Sequence, residues 1–169
     1  MFKNSNKNNY EKINPYFVSG FSDAESSFGI SIYKKKECKI GWCVAPFFAI
    51  ELHEKDLVLL EEIQSFFGVG KISIGKTRDT VAYSVKSIKD LTNVIIPHFL
   101  KYPLITKKRA DFLLFKMVVE LMNKKEHLTI EGLHKIISIR AAMNTGLTAA
   151  LTEAFPNIIP IDRPLVEAT

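Results

Sequence analysis

Asp23 and Glu25 are the residues best placed to do chemistry. They close the segment Asn14-Pro15-Tyr16-Phe17-Val18-Ser19-Gly20-Phe21-Ser22-Asp23-Ala24-Glu25-Ser26, directly before a run that alternates like a strand. Asn14 can accept an orphan backbone N–H, and Pro15 sits at the first helical position, where a missing donor costs nothing, so a helix is expected to start there. Its last carbonyls lack intrahelical donors and its dipole is negative at that end, which favours a cation beside Glu25. Phe17, Gly20, Phe21 and Ala24 share one helical face. With two of those four nearly free of side chain, another helix backbone can approach closely, and two such helices would turn one Glu25 per helix into two per site. Spacing by itself favours a blander arrangement, a solvated helix end with Gly20 in a tight core; the residue types carry the chemical reading further.

The elements that must position these acids fit in one domain. The chain has 169 residues, 47% hydrophobic and 24% charged, enough for a real core and unlike a disordered chain. A net charge of +5 points to a polyanionic partner, a balance shared with ribosomal and membrane-surface proteins. Cys38 and Cys43 have the wrong number and spacing for a zinc site; two free thiols are the favoured reading and one hairpin bridge the alternative. Residues 1–12 are polar, with no apolar signal core, and no apolar run is long enough to span a bilayer. A flexible arm over 1–12, a domain over 13–154, an extended linker-like tail over 155–169 and no membrane partner are expected.

Along the domain, Ser27 to Lys35 alternates with period two, Phe28, Ile30 and Ile32 facing inward. After a turn at Lys36-Glu37, Lys39 to Glu51 alternates again, with Ile40, Trp42, Val44, Phe48 and Ile50 inward and Pro46 suggesting a bulge. A helix follows from His53 to Phe67, closed by Gly68. A second hairpin turns around Thr77-Arg78-Asp79, with Ile72, Ile74, Val81, Tyr83 and Val85 inward. Ser87 starts a helix that Pro97 should end near Ile96. Helices from about Thr106 to Asn123, Ile130 to Met143 and Thr148 to Ala154 complete the domain. Apart from the apolar, small outward face of the second strand, the outer sheet face carries Ser, Thr, Lys, Arg and Tyr, which suits a surface laid in the DNA major groove: alternate residues meet base edges while Lys35, Lys39, Lys71, Lys76 and Arg78 reach phosphates.

The run Val18-Ser19-Gly20-Phe21-Ser22-Asp23-Ala24-Glu25-Ser26 resembles the nine-residue signature of the LAGLIDADG homing endonucleases. Phe47 to Leu57, Tyr102 to Lys108, Met143 to Leu147 and Ala154 to Asn157 are similar to the N-terminal half of two-motif, intron-encoded members from fungal mitochondria. The resemblance implies an α+β fold, αββαββα, with a saddle-shaped four-stranded antiparallel sheet and additional C-terminal helices. It implies a mitochondrial, sequence-specific DNA endonuclease that hydrolyses phosphodiesters at long sites. Glu25 and the carbonyl of Ala24 would hold Mg²⁺, an ion that carboxylate and carbonyl oxygens suit. Lys107 or Lys108 would stabilise developing charge. Phe17, Gly20, Phe21 and Ala24 would pair with a second copy or a complementary half. DNA would be met by Ser31, Tyr33, Lys35, Lys39, Cys43, Ala45, Ala49, Lys71, Ser73, Lys76, Arg78, Thr80, Ala82 and Ser84.

Three features depart from the pattern. Ser26 stands where a glycine is usual; if that position takes φ > 0, Ser costs about 1 kcal/mol or more and tilts Glu25. Cys43, Ala45 and Ala49 are small apolar residues on a base-facing strand, able to touch thymine methyls but not to make bidentate hydrogen bonds. The run carrying Glu25 occurs once. The alternative function is a nucleic-acid-binding module that does not cut, such as an intron-RNA maturase or an engineered half-domain; a basic structural protein of a ribonucleoprotein is the third.

Overall fold

A computed structural model describes residues 12–75 and 79–167. Helix α1, Pro15–Glu25, starts as its sequence dictates: Asn14 Oδ1 accepts the Tyr16 N–H at 2.8 Å. It runs without a loop into β1, Ser26–Lys34, which pairs antiparallel with β2, Trp42–His53. Next come a 3₁₀ turn, Glu54–Asp56, and α2, Leu57–Phe67, closed by Gly68 in the left-handed conformation (φ 70°). Strands β3, Lys71–Ile74, and β4, Thr80–Val85, form the second hairpin. The sheet is four-stranded and antiparallel in the order β1-β2-β4-β3, so each hairpin keeps its own strands together and β2 joins β4 at the centre. The turn expected at Thr77-Arg78 lies outside the described residues.

The inner sheet face carries Phe28, Ile30, Ile32, Phe48, Ile50, Val81, Tyr83 and Val85, all buried. Phe28 sits at the centre of an aromatic cluster, 5.1 Å from Phe48, 5.3 Å from Phe99 and Phe112 and 5.4 Å from Phe115 between ring centroids. Each such side chain contributes roughly 1.5–3 kcal/mol by burial, which anchors β1, and hence the end of α1, to the helices behind the sheet.

Those helices depart from expectation at Pro97. The helix beginning after Ser87 does not stop at Ile96 but continues over residues 88–101 as α3, through a π-helical Leu91–Ile95 segment. The Ile96 N–H reaches back five residues to the Leu91 carbonyl. Widening the turn there accommodates a proline that has no N–H and whose ring crowds the preceding turn. Helices α4, Lys108–Asn123, α5, Ile130–Ala141, and α6, Ala149–Ala154, follow, with Thr129 and Thr148 capping the last two.

Four other local expectations are corrected. Pro46 makes no bulge: β1 and β2 stay in register from Ser26↔Ile50 to Lys34↔Trp42, with Pro46 opposite Ile30. Lys39 to Gly41 belong to the turn rather than to β2, which begins at Trp42. Ile74 is not inward but 67% exposed, at the last position of β3, a four-residue strand on the edge of the sheet. Cys38 and Cys43 are not free: they face each other across the first hairpin, Cα atoms 5.8 Å apart, and form a disulfide.

Residues 155–167 form no helix or strand, yet they are fastened down. Phe155 packs on Trp42 at 5.1 Å between centroids, Ser138 Oγ donates to the Ile159 carbonyl at 2.5 Å, and Arg163 binds Asp111.

Candidate active site and nucleic-acid face

The helix that carries both acids gives them opposite surroundings. Asp23, on the face of α1 that turns inward with Val18, Ser19 and Ser22, is 8% exposed. Its Oδ2 accepts the N–H groups of Ile105 and Thr106 at 2.9 and 3.1 Å, and its Oδ1 accepts the Thr106 hydroxyl at 2.5 Å. Both oxygens are committed to the turn that leads into α4, so Asp23 is a structural clasp. Glu25, two residues on, is exposed and makes none of these bonds. It opens on a cleft of about 500 Å³ lined also by Phe21, Glu51, Leu52, His53, Asp56, Leu59 and Thr80.

Ser26 does not tilt the helix end. Its backbone is extended (φ −86°, ψ 164°), a conformation open to any residue, so the expected cost is absent. Its hydroxyl and its N–H both donate to the Ser22 carbonyl, the former at 2.6 Å, satisfying an orphan acceptor of the last turn.

Of the two lysines, only Lys108 reaches the helix end. Its Nζ donates to the carbonyls of Ser26 at 2.5 Å and Ser22 at 3.3 Å. Burial lowers its pKa from the ordinary lysine value, against the opposing pull of Asp23, Glu25 and Asp111. A cation there meets the negative end of the α1 dipole. The Lys107 side chain is exposed, and its backbone carbonyl accepts from the Ala110 N–H and from Arg163, both at 3.1 Å.

The expected pairing residues form an open surface. Gly20 has no atom of this chain within 4 Å of where a Cβ would stand, Ala24 is exposed, and Phe17 is 46% exposed with its ring stacked on Phe21 at 5.8 Å. Phe21 itself is half-buried.

Register puts the strand residues expected to meet DNA on one outer face. Ser31 faces Ala45 and Tyr33 faces Cys43; Ala49 faces Ser84, which faces Lys71; Ala82 faces Ser73. Thr80 joins the same side opposite His53. Lys35 and Lys39 are exposed at the tip of the first hairpin, while Lys76 and Arg78 lie outside the described residues. The outer face also holds residues that the alternation puts there but that are not among the expected DNA contacts. Phe47 lies over Gly29, where a Cβ would meet the Phe47 ring at 2.1 Å, so an aromatic covers the middle of the face. Glu51 and His53, on the same parity of β2, stand beside Glu25; the alternation of β2 already put them on that side.

The family model described as LAGLIDADG endonuclease matches residues 18–119. The chain is 49% identical over 156 residues to probable intron-encoded endonuclease 2 of Neurospora crassa, covering 92% of this chain and 34% of that protein. It aligns with the LAGLIDADG meganuclease I-CpaMI bound to uncleaved DNA at TM-score 0.89 and 46% identity, over 93% of this chain and 53% of that one. It aligns with I-SmaMI bound to an uncleaved DNA target in the presence of calcium ions at TM-score 0.90 and 45% identity, over 94% and 54%. The chain thus spans about a third of the length of the curated relative and about half of each solved structure.

Proposed function

The chain belongs to the LAGLIDADG endonuclease family, and from that premise we propose that it forms half of a sequence-specific DNA endonuclease, hydrolysing phosphodiesters at a long site as a paired unit. The observation that carries this reading is the division of labour on α1: Asp23 is consumed by the fold, whereas Glu25 is left free at the end of an unpartnered face with the Lys108 ammonium beside it. Packing Phe17, Gly20, Phe21 and Ala24 against the same helix of a second copy, or of a complementary half, would bring two Glu25-type carboxylates to one axis. The outer sheet face then reads the duplex: Lys35, Lys39 and Lys71 meet phosphates, Ser31, Ser73, Thr80 and Ser84 hydrogen-bond base edges, and Ala45, Ala49 and Ala82 touch apolar groups.

The donors available suit a hard divalent cation. Glu25 offers a carboxylate and Ala24 a carbonyl in the last helical turn, both oxygen ligands. Among the described residues no group of three or more His, Cys, Asp or Glu stands ready to hold a metal, which supports a site completed by the partner's carboxylate and by DNA. Held by Glu25 and the Ala24 carbonyl, Mg²⁺ would supply Lewis-acid polarisation of the phosphate and a water of lowered pKa. The protein's own part is to orient: Lys108 keeps a positive charge near the phosphate, and the β1–β2 pairing holds Glu25 rigidly at the sheet edge. A mitochondrial location rests on the likeness to mitochondrial intron-encoded members.

Selection of cleaved sites from a mixed DNA library with Mg²⁺, comparing the wild type with Glu25→Gln, tests the proposal. Cleavage by the wild type and its loss in the variant, with DNA binding retained, is the expected result. Binding without cutting under every divalent metal by a chain that is dimeric in solution overturns it in favour of a non-cleaving module. A strict monomer at micromolar concentration by mass measurement removes the homodimer and leaves the complementary half as partner.

A further inference from the structure

The segment after α6 reaches back to the site through one side chain. Arg163 Nη1 donates to Asp111 Oδ1 at 2.6 Å and to the Ala142 carbonyl at 3.1 Å, while Nη2 donates to the Lys107 carbonyl at 3.1 Å. One planar guanidinium therefore joins the first turns of α4 to the end of α5, a three-acceptor arrangement that the fork of arginine serves and a lysine ammonium cannot reproduce in full. Asp111 Oδ1 also accepts the Asn144 N–H at 3.0 Å, so the loop after α5 is drawn in as well. The segment is itself pinned to α5, the Ile161 N–H donating to the Ser138 carbonyl at 3.3 Å.

The start of α4 has no cap from Lys107 and one bond from Thr106, whose Oγ1 accepts the Lys108 N–H at 3.2 Å. Its first turn is held from one side by Asp23, through Ile105 and Thr106, and from the other by Arg163. Between them Lys108 extends to the carbonyls of Ser22 and Ser26. We propose that Arg163 is a positioning residue for the endonuclease reaction: by tying Lys107 and Asp111 at the start of α4 to Ala142 after α5, it keeps the Lys108 ammonium at the carboxyl end of α1. The proposal rests on the endonuclease reading for its effect on rate, and on geometry alone for its effect on Lys108.

Two measurements on the full chain test it with Arg163→Ala and Arg163→Lys. Single-turnover cleavage at saturating DNA is expected to fall about tenfold to a hundredfold in Arg163→Ala, with DNA affinity unchanged and partial recovery in Arg163→Lys, because a small displacement of a charge-stabilising group acts on the chemical step. In parallel, acylation of Lys108 by an amine-reactive ester, read by peptide mass spectrometry against exposed Lys71, is expected to rise several-fold in Arg163→Ala without DNA or metal. Unchanged Lys108 acylation overturns the proposal, as does unchanged cleavage by a protein that cuts. If a dimeric wild type cuts no DNA at all, the endonuclease reading fails while the acylation ratio still decides what Arg163 does.

Discussion

Replacing Asp23 with Ala removes three contacts at once: the N–H groups of Ile105 and Thr106 and the Thr106 hydroxyl all lose their acceptor. Hydrogen bonds to a charged group contribute about 1.5–3 kcal/mol each. Ile105 and Thr106 are exposed, so water can take over part of the loss, which puts the total below even the low end for three such bonds, at about 3 kcal/mol. In a domain of this size 1 kcal/mol moves Tm by about 2–4 °C, so Asp23→Ala should melt about 6–12 °C below the wild type. Asp23→Asn, which keeps one acceptor, should fall between. Glu25→Gln changes an exposed side chain with no bond to the fold and should stay within about 2 °C. Thermal melts followed by far-UV circular dichroism at neutral pH measure all three. An Asp23→Ala variant as stable as the wild type, or a Glu25→Gln variant equally destabilised, would refute the assignment of one acid to structure and the other to chemistry.

Further outcomes are expected elsewhere on α1 and behind it. His98 is buried among Phe66, Phe67, Phe99 and Tyr102, and burial lowers its pKa to about 4. Because the single Ser19 hydroxyl proton goes to the Tyr102 carbonyl at 2.6 Å, the neutral ring donates Nε2–H to Ser19 Oγ at 3.0 Å. The unfolded chain takes up this proton first as pH falls, so the contribution is complete above about pH 6.5 and lost between there and about pH 4, up to about 3 kcal/mol. Denaturant titrations should show that slope in the wild type and a flatter one in His98→Phe. Ser22 is fully buried and its Oγ finds no partner among the described residues. Removing the hydroxyl in Ser22→Ala should therefore raise stability by about 1 kcal/mol, visible as a Tm about 2–4 °C higher; a lower Tm would mean the hydroxyl is satisfied after all.

Much of this molecule was legible from short-range pattern. The Asn14-Pro15 start of α1, the period-two runs of β1 and β4 and the Gly68 stop are set by residues within a few positions of one another, which is why they could be read directly. The opening signature likewise named Glu25 and the open Phe17-Gly20-Phe21-Ala24 face. Interactions spanning distant parts of the chain were not legible. Spacing cannot tell Asp23 from Glu25; what separates them is the arrival of Ile105 and Thr106, 82 and 83 residues later, at one carboxylate and not at the other. Nor could spacing choose between Lys107 and Lys108, since the choice depends on how α4 abuts the end of α1. The extended backbone of Ser26 and the tolerance of Pro97 by a π turn were also decided by packing, each overriding a sound local rule. Arg163 belongs with them: in the sequence it is one charge among prolines, and it acquires a task only when the end of the chain folds back over α4 and α5. Local periodicity determined the elements and put both acids at the end of one helix, because those depend on neighbours along the chain; tertiary structure alone decided which acid is consumed by the fold and which lysine stands beside the other, because those depend on groups that meet only after folding.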